Sequence, residues 1–156
     1  MDIHKIAEDL GKRLGIEIKV SADGDFSLTV DDLPLVGQTV TGTHMVMVTA
    51  TVGALPPEPH EGLYATLLKA NYRFMATAGS TLSLQPESGE VALCRLVDLR
   101  AVDADEFFTV LETFINTLDM WRETVREFRG LKPHDDAGHE ENHEHLSEDF
   151  RHFVAV

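Results

Sequence analysis

Residues 67–96 read LLKANYRFMATAGSTLSLQPESGEVALCRL and contain the change from helix to sheet on which the fold depends. Leu82 and Leu84 alternate with polar residues before the turn QPESGE, and Val91 and Leu93 continue the alternation after it. Alternation with a period of two on both sides of a polar turn predicts a β-hairpin. We expect its second strand to continue to about Leu99.

Ahead of this hairpin, apolar residues recur at helical spacing from Leu63 to Met75. They predict a helix over residues 60–78 that ends at Gly79 in the left-handed conformation. The apolar positions cover more than the single stripe that a helix resting on one sheet requires. A second copy of the chain is the simplest partner for the surplus, so the pattern predicts a homodimer.

A long helix is predicted after the hairpin. Asp103 and Glu106 have the spacing of a capping box, which marks the start of a helix. An apolar stripe then runs to Phe128, and Gly130 with Pro133 ends it.

The amino-terminal part begins with a helix whose apolar face runs from Ile3 to Leu14. Residues 16–20 and 26–30 alternate on either side of Asp23-Gly24 and predict a hairpin, and residues 43–52 predict a third strand. The predicted fold class is α+β, in the order helix, three strands, helix, two or three strands, helix. An antiparallel sheet would carry the helices packed over it.

Composition limits the function. The chain has 156 residues, which suits one domain over residues 1–130 followed by an acidic, His-rich and flexible tail over residues 131–156. The net charge of −14 would repel nucleic acid and anionic membrane surfaces. A single cysteine excludes an internal disulfide, and no signal peptide or long apolar run is present, so we expect a cytoplasmic protein.

No constellation of catalytic residues is visible. Cys94 lies in an alternating strand and His44 shares the pattern of Val46 and Val48, so both are interpreted as structural residues. The glycines form no phosphate-binding motif. The sequence therefore predicts neither an enzyme nor a cofactor.

The tail leaves two further possibilities open. His139 and His143 have the HxxxH spacing with which a helix can share a metal ion, although a flexible acidic tail would also chelate metals adventitiously. We predict no physiological metal site. Four apolar residues also share one helical face, and they either belong to a disordered end or form a short helix that docks on the body when no partner is bound: Leu146, Phe150, Phe153 and Val154.

The sequence resembles class I type III secretion chaperones, the Tir chaperone (CesT-like) family, best over residues 63–128. The resemblance rests on LLKAN in the second helix, AGSTLSL and SGEVALCRLVDL in the hairpin, and DADEFFTVLETFINTLDMW in the last helix. Size, acidity and element order agree over residues 1–130, whereas the His-rich tail departs from the family pattern.

The resemblance implies a homodimer in which the second helix supplies much of the contact, and a stable contact buries about 1,600 Å² in total. Burial in the core of one protomer is the alternative for each candidate residue. The candidates are Tyr64, Leu67, Leu68, Asn71, Tyr72 and Met75.

The resemblance also implies a partner, the unfolded N-terminal region of a secreted effector, which is held as an extended chain until the export apparatus removes it. It places the effector-binding patches on the first helix and the amino-terminal sheet. Met45 and Met47 are also favoured by their own chemistry, since flexible thioethers adapt to different partners, unless helices cover both faces of their strand. The candidates are Ile3, Ile6, Leu10, Phe26, Leu28, Met45 and Met47.

The predicted function is thus a cytoplasmic secretion chaperone that acts by stoichiometric binding. Two alternatives remain, a non-secretion adaptor or regulator of the same fold and a metal-binding protein that uses the tail.

Overall fold

The structure is a computed structural model that describes residues 2–30, 32–130 and, for the backbone, 153–155. Its helices and strands occur in the following order: α1 (Ile3–Leu14), β1 (Phe26–Val30), β2 (Leu33–Thr39), β3 (Met45–Gly53), α2 (Glu61–Asn71), a short 3₁₀ turn (Tyr72–Phe74), β4 (Thr81–Leu84), β5 (Val91–Asp98), α3 (Ala104–Phe128) and β6 (Phe153–Ala155).

The strands form one antiparallel sheet in the order β4-β5-β3-β2-β1-β6. The α+β class and the predicted order of elements over residues 1–130 are confirmed. The β4–β5 hairpin predicted from residues 82–99 is present, with Leu82 opposite Leu93.

All three helices pack on one face of the sheet. Residues of α1, α2 and α3 belong to the same buried cluster as alternate residues of the strands. Strand β3 shows this clearly, because Val46 and Val48 are buried whereas Met45 and Met47 are half-buried. The alternating burial along β3 therefore indicates that helices cover one face of the sheet, as is common in antiparallel sheets.

The predicted hairpin between residues 16–20 and 26–30 is wrong. Residues 16–20 form no strand, and Val20 alone makes an isolated bridge to Phe26. The segment is held against α1 instead, where the Ile16 N–H donates to the Gly11 carbonyl at 3.0 Å. A side chain at Gly11 would come within 2.6 Å of the Ile16 carbonyl oxygen, so only glycine allows this close approach.

The true partner of β1 is β2, which the sequence analysis missed. Val30 lies opposite Leu33 across a two-residue turn in which Asp32 has a φ of 64°. Leu33, Leu35 and Gly37 are buried in alternation, which is a strand signal. The proline at position 34 obscured it.

The second helix ends at Asn71, not near Ala78 as predicted. The Asn71 side chain bonds both backbone groups of Leu82, donating to its carbonyl and accepting from its N–H, each at 2.9 Å. Arg73 and Phe74 then adopt positive φ, and the Trp121 indole N–H donates to the Ala76 carbonyl at 2.8 Å. These tertiary bonds replace the helical bonds that the apolar spacing alone favours.

The last helix begins as predicted. Asp103 accepts from the Glu106 N–H and Glu106 accepts from the Asp103 N–H, both at 2.9 Å, which completes the capping box. The helix runs to Phe128. None of the helices in the described residues is long and apolar enough to cross a membrane.

Most of the tail, residues 131–152 and 156, lies outside the described residues, and so do the HxxxH pair and the predicted tail boundary. The predicted helical face is wrong for Phe153 and Val154, because both belong to strand β6.

Candidate protein-binding surfaces

Within the described residues, one face of the sheet carries no helix, and the middle of this face is apolar. We define the open sheet face by Val36 of β2, Met45 and Met47 of β3, and Leu96 of β5. Val36 and Leu96 are 41% and 47% exposed. Met47 lies directly opposite Leu96, so their side chains are neighbours on this face.

Polar residues border this apolar strip toward the β4 edge. Thr49 lies opposite Cys94, and the Cys94 thiol is 3.5 Å from the Ser83 hydroxyl. Cys94 is half-buried, which agrees with the predicted packing role. His44, in contrast, is exposed just before β3, so its interpretation as a structural histidine is wrong.

A second apolar surface lies where α2 crosses β4. We define the α2 groove by its lining residues, and its volume is about 400 Å³: Tyr64, Leu67, Leu68, Asn71, Leu82, Ser83 and Leu84. Leu68 is 70% exposed, and Leu84 at the rim is also exposed. The Asn71 bonds to Leu82 fix α2 against β4 along the groove.

Four of the six predicted dimer residues therefore line one groove, and two do not. Leu67 forms its floor and is buried within the protomer core. Tyr72 and Met75 lie in the turn beyond α2, where they are 68% and 79% exposed, and Met75 lines a separate groove with Met120 of α3.

Most of the predicted effector-binding residues do not form an open surface. Five of them are buried in the core that α1 forms with the sheet and α3, and none is more than 5% exposed: Ile3, Ile6, Leu10, Phe26 and Leu28. The Phe26 and Phe107 rings meet edge to face with centroids 6.3 Å apart. Periodicity identified these residues as apolar but could not tell that the α1 face turns inward. Met45 and Met47 do reach the open sheet face.

Several surface charges are paired with neighbours close in the chain. Lys5 donates to Asp9 at 2.7 Å and Lys12 to Glu8 at 2.6 Å, and these contacts raise the pKa of Lys5 and lower the pKa of Glu8. At the end of β5, the Arg100 guanidinium donates to Asp98 at 2.7 Å. Hydrogen bonding from the Arg100 side chain, and then from its backbone N–H, lowers the pKa of Asp98 to about 2.

Within the part of the chain that the structure describes, no three His, Cys, Asp or Glu residues cluster as a metal site would require. The grooves carry apolar and uncharged polar groups, and such surfaces suit another polypeptide better than a small ionic substrate.

Residues 5–122 match the model of the Tir chaperone protein (CesT) family. The chain belongs to this family.

Solved structures agree on the fold of this Tir chaperone family member. The chain resembles the ExsC–ExsE complex with a TM-score of 0.69 and 16% identity, covering 80% of this chain and 97% of the other. It resembles the Yersinia pestis type III secretion chaperone SycH, solved with a fragment of YscM2, with a TM-score of 0.62 and 15% identity, covering 76% and 98%.

The heterodimeric ExoU–SpcU complex of the Pseudomonas aeruginosa type III secretion system matches with a TM-score of 0.57 and 21% identity, covering 81% and 96%. Among curated proteins, a Chlamydia pneumoniae protein is 25% identical over 122 residues, which are 76% of this chain and 92% of that protein. The resemblance stated from the sequence motifs is thus confirmed at the level of family and fold.

Sequence reasoning about this Tir chaperone family member missed Val36, Leu96 and Leu84 as surface residues. Strand parity identifies two of them, because Leu96 shares its face with Met47, and Val36 lies between the buried Leu35 and Gly37. It does not identify Leu84, which has the same parity as the buried Leu82. Assigning Val36 required recognising β2.

Proposed function

We propose that the chain acts in the cytoplasm as a homodimeric secretion chaperone that binds the extended N-terminal region of a type III effector. The observation that carries the proposal is the family match over residues 5–122. Binding is stoichiometric and needs no catalysis, and it keeps the effector soluble and secretion-competent until the export apparatus removes it.

The open sheet face supplies a surface for an extended client. The strip from Val36 through Met47 to Leu96 crosses three neighbouring strands, which lie about 4.8 Å apart. It can therefore contact several alternate apolar side chains of one extended segment. Methionine side chains refit to different shapes, which suits a surface that need not read one sequence.

The α2 groove and Tyr72, which lies just beyond α2, supply the dimer contact. Leu68, Tyr72 and Leu84 are large apolar residues exposed around one helix and the neighbouring strand edge. A two-fold axis near α2 would place each residue against the partner's copy of the same patch, as an isologous interface requires. Dimer formation would remove this apolar surface from water.

Acidity favours the same function. A net charge of −14 keeps a protein with exposed apolar grooves soluble. Ordering an unfolded client costs about 2–5 kcal/mol of the gross interaction energy, so the bound client stays easier to release than a folded partner of equal contact area.

The test is co-expression with the first ~100 residues of the neighbouring gene's product, a length suited to coupled binding of an unfolded segment. We expect two copies of this chain and one client by native mass spectrometry, with client amides that exchange rapidly outside a few short segments. A client that folds by itself, or that does not bind at all, would contradict the proposal.

A matched pair of substitutions locates the surface. Met47→Asp places a charge on the open sheet face and should abolish client binding. Met120→Asp places the same charge on exposed α3 and should leave client binding unchanged. Equal effects of the two substitutions would remove the open sheet face from the proposal.

A further inference from the structure

The carboxyl-terminal strand β6 occupies the outer edge of β1. The backbone of residues 153–155 pairs antiparallel with β1, with Ala155 opposite Leu28, Val154 opposite Thr29 and Phe153 opposite Val30. Strand β1 has β2 as its other neighbour, so the five strands of residues 26–98 would end at β1 without this segment.

Phe26, at the start of the same edge, also has a partner. Val20 bridges Phe26, whose other side is taken by Gly37 of β2. Val20 and β6 together therefore lie opposite four of the five residues of β1, all except Ser27. An uncovered strand edge presents a row of unpaired N–H and C=O groups that accepts any compatible extended segment.

We propose that this edge is a strand-docking site whose resident occupant is the chain's own segment 153–155, and that a client strand docks by displacing it. The client part of the proposal rests on the proposed function; the docking of the segment does not. The edge accepts an extended segment through main-chain hydrogen bonds, which are independent of sequence.

The pairing suits a segment that can be displaced. Among the described residues, three residues of β1 are paired with β6, which is a short ladder. An attached segment acts at an effective concentration of the order of millimolar when its connection is short and flexible. If the free segment bound with a Kd of about 100 µM, attachment would weaken a competing client about tenfold. A client that extends beyond three residues or also contacts the open sheet face would overcome that factor.

A disulfide can trap the pairing in the full chain. Directly opposite residues in antiparallel strands have Cα atoms about 4.5–5.5 Å apart, within the range of a disulfide. Thr29→Cys with Val154→Cys, in a Cys94→Ser background, should form a bond within one chain on mild oxidation. Thr29→Cys with Ala155→Cys is the control, because neighbouring positions of a strand face opposite sides. Equal cross-linking of both pairs, or bonds between two chains only, would overturn the docking.

The trapped protein then serves as its own control in binding. The probe is a fluorescein-labelled peptide of residues 150–156, measured by anisotropy. We expect it to bind the reduced Thr29→Cys/Val154→Cys chain and not the oxidised one, with reductant having no effect on the wild type. Replacing residues 153–156 by Gly-Ser-Gly-Ser should tighten peptide binding about tenfold. Equal binding to the oxidised and reduced forms would contradict a shared edge.

A third measurement, binding of the effector fragment, distinguishes this inference from the proposed function. Binding of the effector fragment to the reduced form but not to the oxidised form supports displacement. Equal binding to both forms overturns displacement and leaves the chaperone function intact. Failure of the client to bind any form contradicts the proposed function, while the cross-link and the peptide still decide whether the edge accepts a strand.

Discussion

Substitution of Leu68 by alanine should weaken the proposed homodimer by about 300-fold. The change removes three methylene-sized groups, each worth about 0.8 kcal/mol when buried. Leu68 is 70% exposed in the single chain, so full burial at an interface gives roughly 1.7 kcal/mol per chain. A two-fold interface contains the residue twice, and the resulting ~3.4 kcal/mol corresponds to about 300-fold in Kd.

Sedimentation equilibrium over a dilution series measures this Kd. Leu96→Ala is the matched control, since this leucine is also exposed but lies on the open sheet face, and it should leave the dimer unchanged. Leu68 contributes little to the single-chain core, so the substituted monomer should remain folded by circular dichroism. A dimer Kd within threefold of the wild type, or the same loss in Leu96→Ala, would refute the assignment of the α2 groove to the dimer.

Three further substitutions test the fold around these surfaces. Gly11→Ala should lower the free energy of unfolding by about 1–3 kcal/mol in urea titrations, because its methyl group would meet backbone. Gly62→Ala should raise it by about 0.5–1 kcal/mol, because the methyl group would lie in a helix and make only an ordinary contact with Phe128. Asn71→Ala should cost about 1–3 kcal/mol in the same titration by leaving two backbone groups without their partner, and a loss below 0.5 kcal/mol would show that these bonds do not hold α2. Arg100→Gln should raise the pKa of Asp98 from about 2 toward its ordinary 3.8 in a carboxyl-carbon NMR titration; since the native pKa is lowered, the stabilisation is present above pH ~4 and is lost as the pH falls toward 2. An unchanged Asp98 titration would exclude the arginine as the cause.

Local signals predicted several elements correctly. The capping box at Asp103, the QPESGE turn and the alternation of β3 each depend on residues close together in sequence, and each is present in the structure. The same kind of signal failed for residues 16–20, whose alternation is as regular as that of β1. There, contact with α1 across Gly11 prevails over pairing with β1.

The predictions of functional residues were also right for some positions and wrong for others. The sequence identified Leu68, Met45 and Met47, which are exposed or half-buried. It also assigned five residues to a binding surface although they are buried in the core: Ile3, Ile6, Leu10, Phe26 and Leu28. An apolar stripe indicates that a face is buried, but the partner that buries it is set by the packing of the whole chain.

The amino-acid sequence by itself determined the class of fold and the acidic character of the chain, because composition and local periodicity depend on residues close together in the chain, and its motifs carried the resemblance to the family. Only the tertiary structure decided that β2 pairs with β1, that α2 stops where Asn71 bonds Leu82, and that residues 153–155 lie on the edge of β1. Those three facts depend on backbone groups far apart in the chain finding hydrogen-bond partners, and no local pattern specifies which distant group will be available.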